Sequence, residues 1–235
     1  MSRYKPPAYD CPLCPRLLDF RTANRKAYPE FYNGPVPSFG ALEAELLIVG
    51  LAPGLKGANQ TGRPFTGDYA GIILYAALEK HGFAEGKYDP EKVTSKKNKT
   101  QVTSQRSQAT DGFVLLNCRV TNAVRCVPPA NKPEPSEIKQ CNAFLVAEIK
   151  AMKRLKVIVS LGQIAHKAVV QVCGLKQSQY TFGHAVRHDL QLATGNLQLL
   201  NSYHTSRYNI NTGTLTQNMF DDVIRMAQKL IAGNT

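Results

Sequence analysis

The sequence predicts an α/β protein of three layers, with helices on both faces of a central, mainly parallel four-stranded sheet. Two observations predict it. Four short apolar runs each close on Gly, Asn or His, and segments with helical periodicity follow or separate them, so strand and helix alternate along the chain.

The first run, AELLIVGL at 44–51, is too continuous for a half-exposed strand and reads as one buried on both faces. FVLLNCRVTN at 113–122 is the second. Pro133 and Pro135 then announce a helix in which Ile138, Cys141, Leu145 and Ile149 share one face. KVIVSLG at 156–162 is the third strand and QIAHKAVVQVC its following helix. LQLLNSYH at 197–204 is the fourth, after which Phe220, Val223, Ile224, Ala227, Leu230 and Ile231 mark a last amphipathic helix. Residues 86–111 carry almost no bulky apolar side chains and read as a polar surface loop inserted into the domain. No second zone of composition and no repeat interrupts the rest, so residues 1–235 are expected to form a single domain.

Charge narrows the function. Twenty-nine Lys and Arg against 17 Asp and Glu give a net charge of +12, which favours polyanions and makes nucleic acid the first candidate partner. A solvated basic surface is the alternative. No apolar run approaches the roughly 18 residues of a membrane span, no basic amphipathic helix carries aromatic anchors, and MSRYKPPAYD lacks the apolar stretch of a signal peptide. No membrane role is therefore expected, and the cytoplasm is the expected location. In that reducing setting six cysteines point to a metal site or to buried thiols rather than disulfides.

Three motifs fall at predicted carboxyl ends of strands, where open parallel sheets bind ligands. GLAPGLKGANQTGRPFTGD at 50–68 holds five glycines and two prolines in 19 residues. Its spacing is neither that of a dinucleotide fingerprint nor that of a P-loop, which argues against nucleoside triphosphates. Phe65 and Asp68 at its end favour a ligand loop over a mere cluster of turns. Asn122, in RVTNAVRC, presents a donor and an acceptor suited to the edge of a base, although an Asn there also suits a turn cap. His204, in HTSRYNINTGTLT, suits stabilisation of a developing anion, or simply hydrogen bonding within a loop.

Taken together, GLAPGLKGANQTGRPFTGD, TNAVRCVPPANKP and the His loop resemble the family-5 uracil-DNA glycosylases, the iron-sulfur branch of the uracil glycosylase superfamily. The likeness runs from Cys11 to about Leu215 and lapses over 86–111. It implies that the chain acts on DNA containing uracil or other deaminated bases such as hypoxanthine, hydrolysing the N-glycosidic bond to leave an abasic site, and a monomer is the expected state. No lysine in the motifs suits a Schiff base, so strand cleavage is not expected. The resemblance implies that Phe65 stacks on the flipped base, Asn122 reads its edge, His204 stabilises the departing anion and Asp68 is the functional carboxylate. Only Leu51 and Ala52 stand between Gly50 and Pro53, where other branches carry an acid or amide. Gly50, Ala52, Pro53, Gly54, Ser206, Arg207 and Asn209 complete the implied substrate surface.

The family also holds a [4Fe-4S] cluster, and the matching ligands are Cys11, Cys14, Cys126 and Cys141, spaced C-x2-C, 111 residues, C-x14-C. Spacing alone leaves iron-sulfur and zinc open. Cys118 and Cys173 read as ordinary buried thiols. Thr205 stands where related loops commonly have Pro, an exchange expected to loosen the loop, with Arg207 and Tyr208 gaining contacts to phosphate or the opened duplex. The competing readings are a noncatalytic iron-sulfur protein that binds nucleic acid or senses redox state, and a structural zinc protein of the same fold.

Overall fold

The computed structural model describes residues 4–91, 93, 111–192 and 195–233. In chain order its elements are α1 (Pro15–Ala27), β1 (Leu46–Gly50), α2 (Ala58–Thr61), α3 (Tyr69–Lys80), β2 (Ala84–Glu85), β3 (Val114–Leu115), β4 (Cys118–Asn122), α4 (Pro135–Ala151), β5 (Val157–Leu161), α5 (Gln163–Val172), β6 (Arg187–Leu192), β7 (Gly195–Ser202), α6 (Arg207–Asn211) and α7 (Gln217–Ala232). The main sheet runs β4-β1-β5-β7-β6. Its first four strands are parallel, and β6 pairs antiparallel with β7 at the edge.

Every residue of β1, β4 and β5 is buried, as expected of strands covered on both faces. Successive side chains of β1 divide between two cores. Leu46 and Ile48 join α3 and α7 on one side, while Leu47 and Val49 join α4 and α5 on the other. This alternation builds the three layers.

The sheet has five strands where four were expected. The fifth, β6, reads RHDLQL and buries Leu190 among exposed neighbours, and one half-exposed edge strand gives too weak a period to stand out. The expected second strand is also broken. Asn117 adopts φ 48, and its side chain both accepts from the Glu45 N–H at 2.9 Å and donates to the Glu45 carboxylate at 2.8 Å. Before this turn β3 pairs with β2 in a separate two-stranded sheet; after it β4 enters the main one.

Two helices left little trace in the pattern. Of the 12 residues of α3, seven are buried, around most of the helix, so no apolar stripe stands out. In α1 the buried positions are Leu17, Arg21 and Asn24, and two polar residues conceal the inward face.

The segment 86–111 lies largely outside the described residues, but its ends do not behave as a surface loop. Tyr88 packs against Tyr75 and Phe113, with ring centroids 4.9 Å and 6.1 Å away. Asp111 makes a bidentate, buried pair with Arg63, at 3.0 Å and 2.6 Å. Burial alone would raise the Asp111 carboxyl, but the hydrogen bonds and charge of Arg63 hold it below the ordinary range. A polar composition had concealed two anchors.

A second buried network fixes β4. Glu148 of α4, with no exposed side-chain surface, pairs with Arg119 at 2.6 Å and Arg125 at 2.5 Å and accepts from Thr121 at 3.2 Å. Two guanidinium groups offset the desolvation of the carboxylate, whose proton affinity is lowered in spite of burial. The carboxyl ends of β1, β4 and β7, each buried and anchored, meet at one edge of the sheet.

Candidate active site

Gly50 is the floor of the site. It lies in register with Asn122 of β4, and a Cβ built there would stand 2.4 Å from Asn122 Oδ1 and 2.4 Å from Phe65 Cζ. Only glycine lets the amide and the ring settle against the strand end. Phe65 itself adopts φ 54, the left-handed region that costs a non-glycine residue about 1–2 kcal/mol. Its neighbours hold it there. The Tyr75 hydroxyl donates to the Pro64 carbonyl, the Thr66 hydroxyl donates to the Arg63 carbonyl at 2.8 Å, and Arg63 is pinned by Asp111.

Asp68 caps α3, its carboxylate accepting from the Ala70 N–H at 3.1 Å. The other oxygen presses on Gly57, where an added Cβ would lie 2.4 Å away. Burial raises the carboxyl above its usual range, and the N–H groups of Gly71 and Ala70 reverse only part of that rise. His204 follows β7, and its ring lies 6.0 Å from that of Phe65 at 29°. Burial lowers the imidazole to about 4, so it is neutral at physiological pH.

The His loop is tightly held. The Ser206 hydroxyl caps α6 by accepting from the Asn209 N–H at 3.3 Å, and the Asn209 amide donates to the His204 carbonyl at 2.8 Å. Thr205, expected to loosen the loop, is fully buried and donates its hydroxyl to the Ala70 carbonyl at 3.2 Å. The loop is bonded through a side chain that proline lacks.

These elements enclose a cleft of about 260 Å³ lined by Leu51, Ala52, Pro53, Gly54, Ala58, Phe65, Asp68, Ala70, Asn122, Asn131, His204 and Ser206. Of the residues singled out in the sequence, eight line this wall. Gly50 lies beneath Asn122 and Phe65, and Asn209 spends its amide on His204. Arg207 stands outside, its guanidinium 5.3 Å from the centre of the Tyr69 ring, next to Tyr208, which is 74% exposed. Asn131 was missed. It and Ala130 have φ of 55 and 53, two consecutive left-handed residues, and the only hint was Asn placed just after a pair of prolines.

Apart from the cleft, Cys11, Cys14, Cys126 and Cys141 line one cavity between α1, α4 and the chain after β4. All six cysteines are free thiols, with Cys118 buried in β4 and Cys173 at the end of α5. Arg21 donates to Cys126 Sγ at 3.3 Å and the Arg125 N–H to Cys141 Sγ at 3.4 Å. Burial pushes the Cys14 thiol up to about 11 and the Cys126 thiol up to about 12, so only a bound cation would make them thiolates at neutral pH. Among the described residues no three His, Cys, Asp or Glu side chains are grouped as a single metal ion requires. A tetrahedral zinc site needs four sulfurs about 2.3 Å from one point, whereas a cluster takes each thiolate on a different iron.

Comparison with known proteins decides the family. The model of the uracil DNA glycosylase superfamily matches residues 37–228. The chain belongs to this superfamily. Among curated relatives, the type-5 uracil-DNA glycosylase of Thermus thermophilus is 38% identical over 225 residues, covering 94% of this chain and 93% of that protein. That of Mycobacterium tuberculosis is 37% identical over 228 residues, covering 94% and 78%, and that of Pyrobaculum aerophilum 33% over 223 residues, covering 93% and 88%. These relatives place the chain in the type-5 branch of the superfamily. Among its described residues no helix is long and apolar enough to cross a membrane.

Proposed function

We propose that this member of the superfamily is a monofunctional DNA glycosylase that flips uracil, and other deaminated bases such as hypoxanthine, out of DNA and hydrolyses the N-glycosidic bond. The observation that carries this reading is the meeting of Asp68, Asn122 and His204 at one cleft, with the carboxyl raised and the imidazole held neutral by burial. The noncatalytic reading gains no support, since a binding module needs no buried carboxylate at the base.

Extruding the nucleotide costs a few kcal/mol, least at a mismatch such as U·G, so selection begins before the pocket. Phe65 stacks on the flipped base, and the Asn122 amide pairs with its edge. As the bond to C1′ breaks, its electron pair leaves with the base; neutral His204 donates an N–H to the oxygen that gains charge, a type of contact worth about 3–4 kcal/mol. The sugar becomes cationic, and Asp68 stabilises it. Water then adds at C1′, and Asp68 takes its proton. Asp68 must be ionised for this, and its raised proton affinity makes it the better base once it is.

Cys11, Cys14, Cys126 and Cys141 would hold a [4Fe-4S] cluster. Their shared cavity and the N–H groups aimed at two of the sulfurs support a site for four thiolates, and the likeness to the iron-sulfur branch favours a cluster over zinc. When bound, the cluster would supply a structural clip between the N-terminal segment, the chain after β4 and α4. We place the protein, as a monomer of one domain, with its DNA in the cytoplasm.

The test is incubation with labelled duplexes carrying U·G, U·A, hypoxanthine·T or no lesion, followed by alkali, alongside iron and sulfide analysis. Breaks that appear at the lesion only after alkali are expected, with iron bound. Breaks without alkali, or no excision by folded, iron-loaded protein, would overturn the reading.

A further inference from the structure

Thr205 and Ala70 join the two halves of the site. The peptide of Ala70 is bonded at both ends to catalytic loops: its N–H donates to the Asp68 carboxylate at 3.1 Å, and its carbonyl accepts from the Thr205 hydroxyl at 3.2 Å. Asp68 caps α3 and His204 immediately precedes Thr205, so these two bonds bridge residues 137 positions apart in sequence, Asp68 and Thr205. Thr205 has no exposed surface, and its neighbour His204 packs its ring against Phe65. The hydrogen bonds of Ser206 to Asn209 and Asn209 to His204 are local and fix the loop's shape without fixing its distance from α3. Apart from the exposed Arg207 guanidinium over the Tyr69 ring, the tie to α3 described for this loop is the buried Thr205 hydrogen bond.

We propose that Thr205 is a positioning residue, whose hydroxyl bond to the first turn of α3 sets the His204 ring relative to Asp68 for attack on the flipped nucleotide. The inference rests on the proposed roles of His204 and Asp68. Uracil excision proceeds through a cation and an anion that these residues face from opposite loops, and such a geometry loses rate steeply when its parts drift by about 1 Å. Breaking the bond should therefore slow bond cleavage and leave DNA binding largely intact.

The experiment compares two pairs of variants that differ only by the hydroxyl, the parent with Thr205→Val and Thr205→Ser with Thr205→Ala. Single-turnover excision from a U·G duplex, affinity for the same duplex carrying an abasic-site analogue, and the ring-proton NMR signals of His204, assigned by their loss in His204→Ala, are measured for each. We expect Val and Ala to excise about tenfold more slowly than their hydroxyl-bearing partners, with affinities within twofold. The His204 signals, shifted by the Phe65 ring, should move toward unshifted positions in Val and Ala alone. Equal rates and equal His204 signals within either pair would overturn the proposal, as would Ser falling to the level of Ala. If His204→Ala kept the parental rate, the role of His204 would fall, while the NMR comparison would still decide whether Thr205 holds the ring.

Discussion

Asp68→Asn separates the two tasks of this residue. Asn caps a helix as well as Asp does, so the bond from the Ala70 N–H survives, whereas Ala would forfeit about 1 kcal/mol. The amide also matches the carboxylate in size, which matters because Gly57 leaves no spare room beside it. Its charge has a further consequence for stability. Burial raises the carboxyl above its unfolded value of 3.8 despite the N-terminal end of α3, so the associated stability is present below that value and lost as pH rises through the folded one. Above the folded value the ionised carboxylate is therefore a burden that Asn removes. Loss of a general base costs 10²–10⁴ in rate, or about 3–5 kcal/mol of barrier. Asp68→Asn should melt at or slightly above the parent temperature at pH 7, lose that advantage below about pH 4, and excise uracil at least a hundredfold more slowly in single-turnover assays. A variant within tenfold of the parental rate would refute the role of the carboxylate; one melting several degrees lower would refute the account of the cap.

Gly50→Ala places a methyl group 2.4 Å from both Asn122 and Phe65, and should reduce single-turnover excision by about 10–100-fold with a smaller effect on melting. The parental pH–rate profile should rise along a limb set by the raised Asp68 carboxyl, with no contribution at neutrality from His204, which is held near 4; Asp68→Asn should lack that limb. Asp111→Asn breaks a buried ion pair and should cost about 3–5 kcal/mol in chemical denaturation. Since the paired carboxyl is held low, the parental stability from this pair is present at neutral pH and declines as pH falls through the carboxylate range. Phe65→Ala and Phe65→Gly both lose a buried ring, but only Gly relieves the φ of 54, so Gly should be the more stable of the two by about 1 kcal/mol, inverting the usual order.

β1 and β5 were legible because each is covered on both faces and its apolar run is nearly unbroken, as LLIVG in β1 shows. β6 was not, because only Leu190 of its described side chains is buried. α1 and α3 escaped for opposite reasons: Arg21 and Asn24 are polar yet buried, and α3 is apolar on nearly every side. In the site, Phe65, Asp68, Asn122 and His204 could be read from their loops, yet the need for glycine at 50 arises only once three chain segments meet. Arg63–Asp111 spans 48 positions and one partner sits in a segment whose composition suggests no core role. Thr205 was misjudged because sequence shows the loss of a proline ring but not the carbonyl that a hydroxyl reaches.

The cysteine cavity and the cleft are mechanically joined through β4 and the chain that follows it. Asn122 ends the strand and Cys126 lies four residues on, with Arg125 between them holding Glu148 at 2.5 Å and lending its N–H to Cys141. Glu148 and Cys141 both belong to α4, and Arg119 and Thr121 bind Glu148 again from within β4. The clip proposed at the four cysteines would thus act on the same short segment that presents Asn122, through bonds that are largely buried. Asp68 and His204 are held from elsewhere, by α3 and the Thr205 bond. It follows that a disturbance confined to the cysteines should reach catalysis through the base recognition proposed for Asn122, weakening discrimination between uracil and the normal pyrimidines before it weakens cleavage itself.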